Sequence, residues 1–203
     1  MDSFVAIDFE TATWGVACAL GIVHFENGVA IDERYTLIDP GISQRRWDAG
    51  AIGIHGITPS DVAGQPSFAD IWPELIHYAA CYPLVAHNAN FDMGVLRSEL
   101  QRHALPTPTL RYGCSMALAR HAWPKRAAAG VAPGNHKLST LSEFLKIELD
   151  HHNALSDAHA CGQVTIAAVL QLGCNTLAAV YERPNLRWGE LSPELLATAS
   201  SRW

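Results

Sequence analysis

The run Phe4-Val5-Ala6-Ile7-Asp8-Phe9-Glu10 constrains the fold of this chain more than any other stretch. Its β-branched and aromatic residues favour a strand, and side chains alternate across a strand. Val5, Ile7 and Phe9 therefore share one face and can enter a core. Asp8 and Glu10 share the other face, about 7 Å apart along the strand by the usual rise per residue. An edge strand with a solvated polar face would accommodate both acids, but the segment is too apolar to lie wholly exposed. Two carboxylates on one partly buried face repel each other unless something positive sits between them. A divalent cation is the simplest candidate.

The neighbouring sequence extends this strand into a meander. Residues 14–25 read as a second strand, and Glu26-Asn27-Gly28 is a hairpin turn signal. Residues 29–38 return as a third strand, stopped by Asp39-Pro40-Gly41. Helical signals then enter. Thr58-Pro59 reads as a helix start, with a capping Thr and Pro at the first position. Ser67-Phe68-Ala69-Asp70 resembles a capping box, with Pro73 predicting a later start or a kink. Residues 83–87 form a short buried strand, and a helix covers residues 90–103. Leu110-Arg111-Tyr112 adds an edge strand. Helices follow over 114–122, 138–147 and 154–172, with a Gly- and Pro-containing loop over 123–136. The pattern fades after Gly173. The expectation is an α/β domain over residues 1–182, with a mixed five-stranded sheet whose three N-terminal strands are antiparallel and whose faces carry helices. Residues 183–203 are expected to form a C-terminal tail.

Composition narrows the function. With 203 residues, 49% apolar and 17% charged, the chain can bury one ordinary core and is not disordered. It has no apolar run near the ~20 residues that a membrane helix needs. Met1-Asp2-Ser3 carries no basic region, so no secretory leader is expected. The five cysteines are widely spaced and contain no CxxC, which argues against a disulfide framework or zinc knuckle and for a reducing, cytoplasmic setting. The net charge of −6 lacks the footprint of a non-specific nucleic-acid binder.

Two further acids stand out. Asp92, in His87-Asn88-Ala89-Asn90-Phe91-Asp92, falls in the first turn of a helix, where the macrodipole alone would favour it. Asp157 shares a helical stripe with Cys161, Val164 and Ala168, which turns an acid toward the core. A buried lone carboxylate is costly, and metal ligation explains it better than solvation. Asn153 suits the N-cap of that helix, leaving His152 in the preceding loop, in reach of the same place. A histidine beside a carboxylate cluster is a candidate general base.

Together these segments resemble the DEDDh exonucleases, the DnaQ-like family that includes the proofreading subunit of bacterial DNA polymerase. The matching pieces are Asp8-Phe9-Glu10-Thr11, then His87-Asn88-Ala89-Asn90-Phe91-Asp92, then His152-Asn153-Ala154-Leu155-Ser156-Asp157, in order. The family's spacing of four residues between His and Asp selects His152 over His151. Ile54-His55-Gly56-Ile57-Thr58 resembles a further signature between the first two motifs. The resemblance implies a ribonuclease H-like fold and 3′-to-5′ release of nucleoside 5′-monophosphates from a strand with a free 3′ end, preferably single-stranded DNA. It implies two Mg²⁺ or Mn²⁺ ions per site, held by Asp8, Glu10, Asp92 and Asp157, with His152 as base. It also implies that Glu10, Thr11, His55, Ile57, Asn88 and Phe91 contact the terminal nucleotides. A DNA polymerase is open as a partner, although the tail shows no matching segment.

This chemistry suits the residues. Two metals about 3.5–4 Å apart can activate water and stabilise a leaving 3′-oxygen. They would also offset the negative charge of four ligands and bind phosphate themselves, so no broad basic face is required. Lys125, Arg126 and Lys137 could touch the strand's backbone. A neutral His152 predicts a rate that falls below about pH 6.5. Three alternatives remain at this stage: an exoribonuclease with the same mechanism, a catalytically weak nucleic-acid-binding module, and a single-zinc hydrolase. The last lacks a recognised zinc spacing.

Overall fold

A computed structural model describes residues 1–124 and 132–193. The chain opens as a meander of three antiparallel strands, β1 (Phe4–Thr13), β2 (Val16–Glu26) and β3 (Val29–Leu37). Helices α1 (Ala49–His55) and α2 (Phe68–Cys81) follow, then β4 (Leu84–Ala86), α3 (Asn90–Arg102) and β5 (Leu110–Cys114). The remainder is α4 (Ser115–Ala122), α5 (Leu138–Leu145), α6 (Ala154–Gln171), α7 (Leu177–Tyr181) and β6 (Gly189–Leu191). The strand order is β3-β2-β1-β4-β5-β6, with β4 parallel to β1 and β5, and β6 antiparallel to β5.

The sheet divides the core into two layers. Val5, Ile7 and Phe9 pack on one face against Phe68, Leu75, Met93 and Leu96 of α2 and α3. Phe4 and Ala6 pack on the other with Val23, Phe25, Leu118, Cys161 and Val164. The period-2 order of β1 thus feeds both layers at once. β2 is buried from Val16 to Phe25, as its near-continuous apolar sequence requires.

Several local expectations are revised. Among the described residues the sheet has six strands rather than five, because residues 189–191, expected within the tail, pair with β5. β5 is therefore not an edge. A strand of three residues carries no legible periodicity, and contact decides its place. Gly189 lies so close to the Tyr112 ring that a Cβ would come within 2.2 Å of it, and Trp188 stacks on Tyr181 at 4.0 Å. Thr58-Pro59 opens a turn, not a helix. The Asp61 carboxylate accepts from both Thr58 N (2.7 Å) and Thr58 Oγ1 (2.6 Å), closing the chain locally. The helix in this region is the earlier α1, capped by Asp48, which accepts from Gly50 N. Its two glycines weaken the sequence signal. α2 begins at Phe68 despite Pro73. Ser67 N and Oγ both donate to Asp70, and the helix forgoes one backbone bond at the proline rather than starting later.

Candidate active site

β1 pairs with β2 along its length but with β4 only at Val5 and Ala6. Past Ala6, one side of β1 is therefore open, where β4 ends and the chain turns into α3. Asp8 and Glu10 project into this gap at the carboxyl ends of the parallel strands, the usual place for a ligand in an open α/β sheet. Asn88 makes the turn from β4 with a φ of 65°, a left-handed value that asparagine tolerates. It sets Asp92 in the first turn of α3.

Asp157 arrives from the other layer. α6 starts where Asn153 accepts from Leu155 N and Ser156 N at 3.2 Å. It then crosses β2 at two glycines. Gly21, opposite Asp8 in the ladder, leaves no room for a Cβ, which would lie 2.1 Å from the Ala154 carbonyl oxygen. Gly162 is as tightly placed against the Phe25 ring. These two close approaches bring the first turn of α6 over Asp8.

The result is a convergence of carboxylates. Ligand oxygens of Asp8, Glu10 and Asp157 lie within 4.8 Å of one another. Asp92 stands behind them, 1% exposed, with Oδ1 accepting from Phe9 N at 3.2 Å and Oδ2 without a partner. Burial, then the charges of Asp92, Asp157 and Glu10, hold the Asp8 carboxyl well above the usual carboxylate range. Glu10 is pushed up to about 8 by burial and by Asp157 and Asp92. Burial, opposed by hydrogen bonds from the Phe9 and Asp92 amides and reinforced by Asp157, pushes Asp92 to about 8. An all-oxygen donor set this crowded, with one buried oxygen unpartnered, fits a hard divalent cation, which would supply the missing positive charge.

Two histidines border the cluster. His152 has a φ of 71°, which turns its ring to the same side as that of His151, and the rings stack at 3.8 Å. His151 Nδ1 lies 3.1 Å from Asp157 Oδ1, and His152 N donates to Asp157 Oδ2 at 3.1 Å. The contact of His151 with Asp157 was not legible from motif spacing, which points to His152 alone. Burial, together with the neighbouring His151, keeps His152 below the ordinary histidine value.

The cluster forms one end of a cavity of about 470 Å³. Thr11, His55, Asn88, Phe91 and Lys137 line it with the acids and histidines. Ile57 does not. It is buried beside Ala12 and Val62, and the half-exposed Ile54 of α1 lines the cavity in its place. His55 ties this helix to the strand, with Nε2 3.1 Å from Thr11 O. His87, half-buried and pushed down to about 4 by desolvation, is neutral and bridges Ser115 Oγ (2.7 Å) to the His136 carbonyl (3.0 Å). Lys125 and Arg126 lie outside the described residues.

Two more features escaped the sequence reading. Trp14, 85% exposed at the β1–β2 turn, meets Phe91 edge-on at 6.4 Å. Glu99, buried on α3, accepts from Ala17 N at 2.7 Å where the β1–β2 register slips, and Arg102 neutralises it. Neither an isolated tryptophan nor an acid on a helix announces such a contact.

Comparison with known proteins agrees with this geometry. The chain matches the RNase_T family, described as exonuclease, over residues 5–165. It is 32% identical over 178 residues to the PolC-type DNA polymerase III of Oceanobacillus iheyensis, covering 84% of this chain but 12% of that protein. Among solved structures, Exonuclease X in complex with 5′ overhanging duplex DNA is similar at 26% identity and a TM-score of 0.66, covering 84% of this chain and 93% of that one. The nuclease domain of 3′hExo, a DEDDh member bound to rAMP, shares the fold with a TM-score of 0.69 at 18% identity, over 86% and 94% of the two chains. With a family match across most of its length and acids meeting at the open end of a ribonuclease H-like sheet, this chain belongs to the DnaQ-like, DEDDh exonuclease family.

Proposed function

We propose that this chain removes nucleoside 5′-monophosphates from the 3′ end of single-stranded DNA, with two Mg²⁺ or Mn²⁺ ions and His152 as general base. The observation that carries this reading is the convergence of Asp8, Glu10 and Asp157 within 4.8 Å, backed by the unpartnered Asp92 oxygen. The PolC-type relative is a DNA polymerase, and Exonuclease X was captured on DNA, which favours DNA over RNA.

Asp8, Glu10 and Asp157 would hold the ions, and Asp92 would support them from behind. Divalent ions bound there would make a water more acidic and stabilise the departing 3′-oxygen. The chain's own groups do the rest. A His152 held below its ordinary pKa is neutral near pH 7, so a ring nitrogen is free to take the proton of the attacking water. His151, against Asp157, orients that carboxylate. Phe91 and Ile54 offer apolar surfaces to the terminal bases, while Thr11, fixed by His55, and Asn88 border the sugar. Lys137 at the rim can meet the phosphate backbone.

The test uses 5′-labelled single-stranded DNA and RNA of equal sequence, with Mg²⁺, Mn²⁺, Zn²⁺ or EDTA. The expected result is a ladder shortening from the 3′ end of DNA, abolished by EDTA. Faster shortening of RNA would move the assignment to an exoribonuclease. No cleavage with any metal would leave a binding module, and cleavage with zinc alone a zinc hydrolase. His152→Ala should lower kcat by about 10²–10⁴ while Mn²⁺ still raises the melting temperature. An unchanged kcat would reject His152 as base.

A further inference from the structure

Thr11 stands out of step with β2. Asp8, Phe9 and Glu10 face Gly21, Leu20 and Ala19 in regular order, but Thr11 faces Ala17 and Thr13 faces Val16. Cys18 is thus an extra residue on β2 and Ala12 an extra residue on β1, and the two slips cancel. A slip of this kind beside a site re-aims the side chains next to it. Here those are Glu10, a member of the carboxylate cluster, and Thr11, in the cavity wall.

Backbone groups that a slipped ladder does not pair must find other partners. Cys18 O accepts from Ile38 N at 2.9 Å, and Ala12 O from Asp48 N at 2.8 Å. The His55 ring meets Thr11 O. The Ala17 amide, opposite Thr11, donates to Glu99 Oε1 of α3 at 2.7 Å. Glu99 is 1% exposed and lies two helical turns after Asp92, on the same face of α3. Asp92 accepts from Phe9 N and Glu99 from Ala17 N, so two carboxylates of one helix bracket Glu10.

We propose that Glu99 is a positioning residue for the exonuclease reaction, holding β1 and β2 in the slipped register that aims Glu10 at the metal site and Thr11 into the cavity. This rests on the function proposed above. Glu99 itself is outside the cavity wall and acts through the backbone. Its charge is met from the other side, by Arg102 Nη1 at 2.7 Å and the His103 ring at 3.3 Å. That ion pair needs no buried carboxylate, since Arg102 is on the same helix and 29% exposed. Burial of Glu99 adds the bond to Ala17. Without it, the Ala17 amide regains a partner by turning back to the carbonyls of β1. That closes the slip, and a one-residue change of register exchanges the faces to which side chains point.

Two variants separate the amide bond from the charge. Glu99→Asp keeps the charge for Arg102 and His103 but is one methylene too short for the Ala17 amide. Glu99→Gln keeps an acceptor at the right length and gives up the charge. Glu99→Asp should lower kcat on 5′-labelled single-stranded DNA, and Mn²⁺ affinity by calorimetry, by about 10–100-fold each, the scale for outer groups that orient a metal ligand. Glu99→Gln should retain most of both. An ion pair that serves the fold alone predicts the reverse, with Asp the milder change. Leu100→Ala, a core truncation on the same helix, should lower the melting temperature and leave kcat and Mn²⁺ affinity at the wild-type level.

The positioning role is overturned if Glu99→Asp keeps wild-type kcat and Mn²⁺ affinity, if Glu99→Gln loses as much as Glu99→Asp, or if Leu100→Ala loses as much as either. Calorimetry needs no turnover. A wild-type chain that binds Mn²⁺ without cleaving would therefore refute the function proposed above while the Mn²⁺ affinities still decide whether Glu99 sets Glu10. A chain that binds no Mn²⁺ would refute both.

Discussion

Asp8 and Asp32 are both strand aspartates, two strands apart in the same sheet, and their surroundings drive them in opposite directions. Asp32, on the rim, is held below the usual carboxylate value by a hydrogen bond from the Tyr78 hydroxyl and by the Arg34 guanidinium beside it. Asp8, at the centre, is driven well above it by burial and by three more carboxylates. The rim carries its own cation, whereas among the described residues no lysine or arginine is ion-paired with the four acids at the centre. A fold retains such uncompensated charge where a ligand is to provide the compensation. The same element, with the same residue type, is a satisfied surface in one place and a site in the other.

The comparison breaks most sharply under substitution. Asp8→Asn should reduce exonuclease kcat by roughly 10²–10³ or more, the scale of losing a group that stabilises transition-state charge. Asp32→Asn should leave kcat unchanged and alter stability by less than about 1 kcal/mol, as for exposed ion pairs. Equal effects on a single-turnover assay would remove the distinction between the two carboxylates.

Gly21→Ala comes next. The added Cβ must displace the Ala154 carbonyl and lift the first turn of α6, moving Asp157 away from Asp8. A displacement of about 1 Å in a catalytic group costs roughly a hundredfold in rate. Activity equal to wild type would show that α6 is not held by this approach.

Metal and pH sharpen the comparison further. Asp8, Glu10 and Asp92 have folded values above their unfolded ones, so the folded chain holds more protons than the unfolded chain from about pH 4 to 8. Stability of the metal-free protein should therefore fall as pH rises through that window. Mn²⁺ at a hundredfold excess over its Kd should restore about 2.7 kcal/mol, read as a rise in melting temperature at pH 8. The Asp8→Asn variant should lose most of that rise.

The smallest effect belongs to the rim. Asp32 has a lowered folded value, so its contribution is present above the ordinary carboxylate pKa and is lost as pH falls through the folded one. Thermal melts below pH 4 should bring wild type and Asp32→Asn together.

Much of this is legible in the sequence alone. Alternation in β1, the Asn153 cap and the apolar stripe of α6 each follow from short-range rules, and each stands as expected. The misses share a physical character. Thr58-Pro59 offers a good cap, but Asp61 closes a turn there first. Residues 189–191 are too few to show a period, and Ile57 lies beneath the surface that its neighbour Ile54 occupies. The contact of His151 with Asp157 depends on one left-handed residue, His152, that no pattern flags.

The sequence alone determined which residues can form strands and helices and which acids interrupt them, because those properties arise from side chains within a few positions of each other. Only the tertiary structure decided that β4 stops short of Asp8, that Gly21 admits α6, and that Asp92 lies with one oxygen unpartnered behind the others. Those facts are distances between segments far apart in the chain, fixed by how closely backbones can approach once the two core layers have packed.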